Sequence, residues 1–267
     1  MRRVALTIEY DGTDFAGFQT QGQGERTVQS VLSDAICTLT RTDSIIVHCA
    51  GRTDSGVHAL GQVVHFDTES SLQQSRLISG LNGVLPRDVV IKAIWEPEAD
   101  FHARFSATQR TYVYALLTRP QRSPILDRYT LHEPKPLDLG MMRNAAEVLS
   151  GTHDFKSFAN SGGNPGATTV RRIDSLKLRR VSRGEITLIV ISASGFLRSM
   201  VRNIVSALLE VGRGKMRPLE LQEILRYADR EKNPVQTIAA KGLCLLKVDY
   251  AKNERGVSID ASSDEEG

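Results

Sequence analysis

Cysteine is scarce in this sequence. Cys37, Cys49 and Cys244 are the three in 267 residues, and no two form a C-x-x-C pair. An odd, scattered set supplies neither a disulfide framework nor a zinc site and fits a reducing compartment. Long apolar runs are also lacking, so no segment is expected to span a bilayer. Strand-like alternation begins by Val4, which leaves no room for a signal peptide, and a cytoplasmic location is the expectation. Phosphate-binding loops are missing too. G-R-G-K at residues 212–215 runs on into Met216 instead of Ser or Thr and has the wrong spacing for a Walker loop, and G-Q-G at 22–24 stands alone.

The composition that is present is that of an ordinary globular protein, 40% hydrophobic and 24% charged, so a packed core needs no covalent staples. The formal charge of +3 is uneven, because the last sixteen residues carry five acids against two bases. The remaining body is modestly basic, which is compatible with a polyanionic partner without requiring one.

Residues 4–10 alternate as a strand, and Val28, Val31, Leu32, Ala35, Ile36 and Leu39 recur at helical spacing from about Thr27. Strands are expected over 45–50, 62–67 and 88–95, with a weaker helix over 74–84 ended by Pro86. That order, β-α-β-β-α-β, is the ferredoxin-like split βαβ unit. The second half repeats it: a strand over 110–117, a helix over 138–149 and strands over 169–181 and 185–192. Helices over 196–211 and 219–227 and a strand over 242–250 follow. The expected fold class is therefore α+β, two ferredoxin-like halves with mixed or antiparallel sheets side by side around a cleft. The halves are expected at 1–100 and 101–251, with 252–267 a disordered acidic tail and 161–167 (S-G-G-N-P-G-A) a mobile loop.

Gly51 and Gly56 bracket Arg52, Thr53, Asp54 and Ser55 between two expected strands. Glycines allow sharp bends and close approach to a ligand, and a carboxylate on a loop held by a rigid scaffold is accessible yet positioned. Asp54 could equally close an Asx-type turn. Asp54-Ser55-Gly56 also matches the aspartic protease signature, whose two shared carboxylates would require a homodimer, since no second copy exists in the chain.

Five blocks stand in order: Y-D-G-T-D-F-A-G-F-Q (10–19), C-A-G-R-T-D-S-G-V-H-A (49–59), G-Q-V-V-H-F (61–66), D-F-H-A-R-F-S-A-T-Q-R-T-Y-V-Y (100–114) and M-V-R-N-I-V (200–205). Together with K-G-L-C-L-L-K-V-D-Y (241–250) they resemble the tRNA pseudouridine synthase A family over nearly the whole chain. The resemblance implies isomerisation of uridine to pseudouridine in the anticodon arm of tRNA, at positions 38, 39 or 40. It implies no metal or organic cofactor, and a homodimer whose tRNA contacts span both subunits. Position by position, it implies that Asp54 is the catalytic aspartate and that Arg52 helps the target base leave the stack. It further implies that Tyr112 packs on that base and that Arg202 pairs with the catalytic carboxylate. Phe18 departs from the family's usual tryptophan and Cys244 from its usual tyrosine.

The implied chemistry suits these residue types. The C1′–N1 bond breaks, the base turns and rejoins through C5, with no redox change, and an ionised carboxylate can act as nucleophile or base. A carboxylate in a water-excluding cleft is driven toward its neutral acid, and a neighbouring guanidinium opposes that. Arg202 could otherwise snorkel from an apolar helix, and Tyr112 could be a plain core residue. Arg179 and Arg180, in the basic stretch 170–183, are candidates for phosphate contacts, or equally for a charged strand edge. His58, His65, His102 and His153 lack metal-ligand spacing and read as structural or RNA-facing. A non-catalytic RNA-binding module is the second reading, although the aromatic signature of RNA-recognition domains is absent. The dimeric protease is the third.

Overall fold

The computed structural model describes residues 1–20, 22, 24–162, 166–251 and 259–260. Most of the expected acidic tail, and residues 163–165 of the glycine-rich loop, lie outside the described residues. The chain divides into two compact units, residues 1–108 with 245–267, and residues 109–244.

The first unit runs β1 (Arg2–Tyr10), α1 (Val28–Thr40), β2 (His48–Cys49), β3 (His58–Thr68), α2 (Gln74–Val84) and β4 (Val89–Trp95). This is the α+β order expected from the sequence. β1 is central, antiparallel to β3 on one side and β4 on the other, and β2 lies against β3. The space order β4-β1-β3-β2 is that of a split βαβ unit. Helix α1 begins where Thr27 caps it: the Thr27 side chain accepts from Ser30 N and the Ser30 hydroxyl accepts from Thr27 N. Val28, Leu32, Ala35 and Ile36 form its buried stripe. Helix α2 has no side-chain cap and is held from within. Asn82 donates to Ile91 O and accepts from Ile91 N at 3.0 and 2.7 Å, where the β1–β4 register shifts. A bulge there strands a backbone N–H, and the carboxamide satisfies it.

The stretch 45–50 was expected as a strand, but only His48–Cys49 pair with β3. Ile45, Ile46 and Val47 have β-branched propensity without a ladder to join, and propensity alone does not make a strand.

The second unit contains β5 (Ala107–Leu117), which starts in the first, β6 (Leu131–His132), α3 (Leu139–Leu149), β7 (Gly151–Asp154), β8 (Val170–Val181), β9 (Ile186–Ala193), α4 (Met200–Gly212) and α5 (Pro218–Tyr227). Its sheet has the order β5-β9-β8-β7, with β6 parallel to β5. β6 and β7 carry too few residues to show periodicity. Asp138 caps α3 by accepting from Met141 N. Helix α4 begins at Met200, later than the apolar pattern from Phe196 suggests, because Ser199 adopts a left-handed conformation at φ 58°. β10 (Leu243–Tyr250) opens in the second unit, and from Leu245 it belongs to the first, beside β3. The short β11 (Ile259–Asp260), within the expected tail, pairs with β4.

Candidate functional site: the Asp54 loop

The loop between β2 and β3 is braced by the segment 10–19 that follows β1. Tyr10 and Thr53 share a buried hydroxyl–hydroxyl hydrogen bond of 2.8 Å, and Phe18 N donates to Thr53 O at 3.0 Å. Ser55 donates to Phe15 O at 3.0 Å, and Gly12 N donates to His58 Nδ1 at 3.1 Å. From the other side, Gln62, fully buried, donates to Gly51 O at 2.7 Å. Each end and the middle of the loop is thus tied to a strand or to the 10–19 segment.

The two glycines of that segment explain how close the approach is. A Cβ on Gly12 would fall 1.9 Å from Val57 O, and Gly17, at φ +114°, would bring one to 3.0 Å from Thr53 O. Only a residue without a side chain permits both. The phenyl rings of Phe15 and Phe18 lie 6.5 Å from Tyr10, and all three rings are buried. Phe18, where the family pattern has tryptophan, fills this cluster at 1% exposure.

Within the loop, Val57 N donates to Asp54 O at 3.2 Å, and Gly56 stands at φ +77°. Asp54 therefore opens a four-residue turn whose third position requires a positive φ, which glycine supplies. Thr53 is buried, Asp54 half-buried, and Arg52 and Ser55 exposed. The alternation sends Thr53 inward as an anchor and leaves the neighbouring carboxylate accessible. Arg52 also acts on Cys49: burial pushes that thiol up to about 11, and the Arg52 and Arg104 guanidinium groups oppose the shift.

The other expected site residues lie in the second unit. Tyr112, on β5 opposite Ile191, is buried at 7% exposure and meets the ring of Phe196 edge-on at 5.2 Å. Arg202 is half-buried on α4, where its Nε donates to Ile238 O at 2.8 Å. Burial raises the phenol of Tyr114, and the Arg202 guanidinium opposes that shift. Arg179 and Arg180 are both exposed on β8, opposite Leu188 and Thr187. As neighbours on a strand they point to opposite faces.

The bracing role of Tyr10, Gly12, Phe15 and Gly17 was not assigned from the sequence. Its signal was the Y-D-G-T-D-F-A-G-F-Q block itself, rich in glycine and aromatics yet too short of periodicity to be an element. The cluster formed by His48, His65 and His102 also went unread. His48 stacks on His65 at 4.9 Å, and His102 meets His65 at 4.6 Å and His48 at 5.2 Å. Nδ1 of His65 accepts from Ala103 N, and Nδ1 of His102 accepts from Arg104 N, each at 3.1 Å. Desolvation lowers His65 to about 3, reinforced by His102 and His48. His102 is lowered as well, chiefly by burial. Among the described residues no group of His, Cys, Asp and Glu is arranged to hold a metal ion.

A half-buried carboxylate on a braced turn of an α+β unit defines a candidate acid–base or nucleophilic centre. Comparison with known proteins narrows that class. The model of the family described as tRNA pseudouridine synthase matches residues 6–106 and 145–251. The tRNA pseudouridine synthase A of Oceanobacillus iheyensis is 37% identical over 257 residues, 96% of this chain and 100% of that relative. That of Brevibacillus brevis is 42% identical over 250 residues, covering 94% and 100%. That of Methylococcus capsulatus is 43% identical over 259 residues, covering 97% and 93%. The chain belongs to the tRNA pseudouridine synthase family. Membership sets aside both the protease reading of Asp54-Ser55-Gly56 and the purely RNA-binding one.

Proposed function

We propose that this protein isomerises uridine to pseudouridine in the anticodon stem-loop of tRNA, with Asp54 as the catalytic carboxylate. The observation that carries the reading is the construction of the loop. Thr53 is locked inward by Tyr10 and Phe18, while Asp54 beside it opens a glycine-closed turn and stays accessible. A carboxylate so fixed loses little conformational freedom when it meets substrate, which is how positioning lowers a barrier.

The reaction asks three things of the chain. The target uridine must leave the helical stack, at a cost of a few kcal/mol; Arg52, exposed on the same loop, is the residue proposed to assist. The extruded base needs an aromatic surface, whose stacking contributes about 1–3 kcal/mol, and Tyr112 is proposed for it. The carboxylate then labilises the C1′–N1 bond by attack on the sugar or the uracil ring or by taking a proton from the sugar; the uracil rotates in place, C5 bonds to C1′ and gives up its hydrogen as a proton to solvent, and N1 takes up a proton. Arg202 is proposed as the cationic partner of the carboxylate. Phosphate contacts are assigned to Arg179 or Arg180, whichever of the two faces of β8 meets the RNA. The family resemblance further implies a homodimer, and the few scattered cysteines fit a reducing, cytoplasmic compartment.

The test is tritium release from C5-labelled uridine in tRNA. Asp54→Asn is expected to abolish release while tRNA binding persists, and Arg202→Met to depress it strongly in a folded protein. Retained turnover in Asp54→Asn overturns the catalytic assignment.

A further inference from the structure

We propose that Phe105, together with the rings of His102 and His48, forms a stacking platform for an unpaired nucleobase of the RNA substrate, flanked by the guanidinium groups of Arg104 and Arg52. This rests on the RNA-modifying reading above and adds to it a binding surface distinct from the catalytic carboxylate.

Phe105 is 76% exposed, more than any other Phe, Tyr or Trp among the described residues. A single exposed apolar side chain is unremarkable, but this ring ends a continuous row of tilted and edge-on ring contacts. Its centroid is 4.4 Å from that of His102, which lies 5.2 Å from His48 and 4.6 Å from the buried His65. His65 is in turn set edge-on against Phe101, which packs on Trp95 and Tyr250. The row of rings thus runs from the core out to the surface and ends in an exposed face. Its mount is stiff. His102 N donates to Ser106 Oγ, Ala103 N to His65 Nδ1, and Tyr250 OH to Ala103 O at 2.8 Å.

The charge around the row selects the occupant. Burial lowers both His65 and His102, so neither ring is the source of the positive charge on this face. Positive charge comes from Arg104, whose guanidinium lies 5.7 Å from the Phe105 ring, and from Arg52. Both arginines act on the same thiol, Cys49, next to His48. Flat aromatic rings set among cations suit a nucleobase with its phosphates, and base–aromatic stacking is tolerant of sequence. An acidic peptide would use the arginines and leave the rings idle. The location also fits. β2 carries His48 and leads within six residues to Asp54, a span of at most about 20 Å.

The experiment measures equilibrium binding of the full chain to tRNA and tritium release by the wild type in the same preparations. Phe105→Ala is expected to weaken tRNA binding about tenfold and Phe105→Leu nearly as much, because leucine restores apolar area without a ring, whereas Phe105→Trp binds as the wild type does. Sedimentation is run on every variant. Wild-type affinity in Phe105→Ala, or full rescue by leucine, overturns the platform. So does a change of oligomeric state on removal of the ring, which would make the face a contact between copies. Absence of tritium release by the wild type instead defeats the reading on which the platform rests.

Discussion

Gly17 and Gly12 are where single atoms decide the site. At φ +114°, with Thr53 O only 3.0 Å from the place of a Cβ, Gly17→Ala strains its own backbone and presses on the residue beside Asp54. The cost is about 1–3 kcal/mol. The expected outcome is a measurable drop in the thermal midpoint with a larger, roughly tenfold, drop in tritium release. A variant that melts earlier yet turns over normally would show that the brace serves stability alone. The turn at Asp54 was legible in the sequence, since two glycines around a short polar run announce one, and the ordered blocks carry the role proposed for its carboxylate. The brace was not, because Tyr10 meets Thr53 across 43 positions, and no local pattern encodes that contact.

Among the elements, α1, α2 and α3 could be read from the chain because apolar period and terminal signals agree. Thr27 and Asp138 cap, and Pro86 stops α2 near where it ends. β2 and α4 were misjudged at one end for the opposite reason, since apolar residues continue past the point where partners or backbone conformation permit the element. The histidine row is an element-scale feature made by long-range pairing: β2 brings His48 opposite His65, and the loop after β4 brings His102 over both. It carries a pH consequence. His65 has a folded value of about 3 against an ordinary 6.5, with desolvation the main cause. The unfolded chain therefore binds the proton that the folded chain refuses. Stability is full above about pH 6.5 and falls as pH drops toward 3. At pH 5 the loss is about 2 kcal/mol, at 1.36 kcal/mol per pH unit. His65→Gln should flatten this acid limb in denaturant titrations between pH 7 and 4; an unchanged slope would assign the limb to other groups.

At the scale of the whole molecule, the modest basic excess is less informative than where the cations sit. Beyond Ile173, the register of β7 on β8 ends, and Lys177, Arg179 and Arg180 lie on the continuation. Since Arg179 and Arg180 face opposite ways, one of the two substitutions to Gln should lower the salt slope of tRNA affinity by about one, and the other should not. Binding measured from low to moderate salt checks this, and no change in either would identify a solvated strand edge. The α+β class was legible because two periods, 2 and 3.6, alternate clearly along the chain. The division into units was harder to read, because β10 starts 148 residues after the end of β4 yet belongs mostly with the first unit. That return has a consequence for synthesis. At about 5–20 residues per second, on the order of ten seconds separate emergence of residue 108 from that of Leu245–Tyr250. Through that interval β2 covers β3 only at Val64 and His65, and the stretch around Gly61, which later abuts Leu246 O, lacks its β10 partner. Completion of the unit that carries Asp54 thus waits on the synthesis of Leu245–Tyr250.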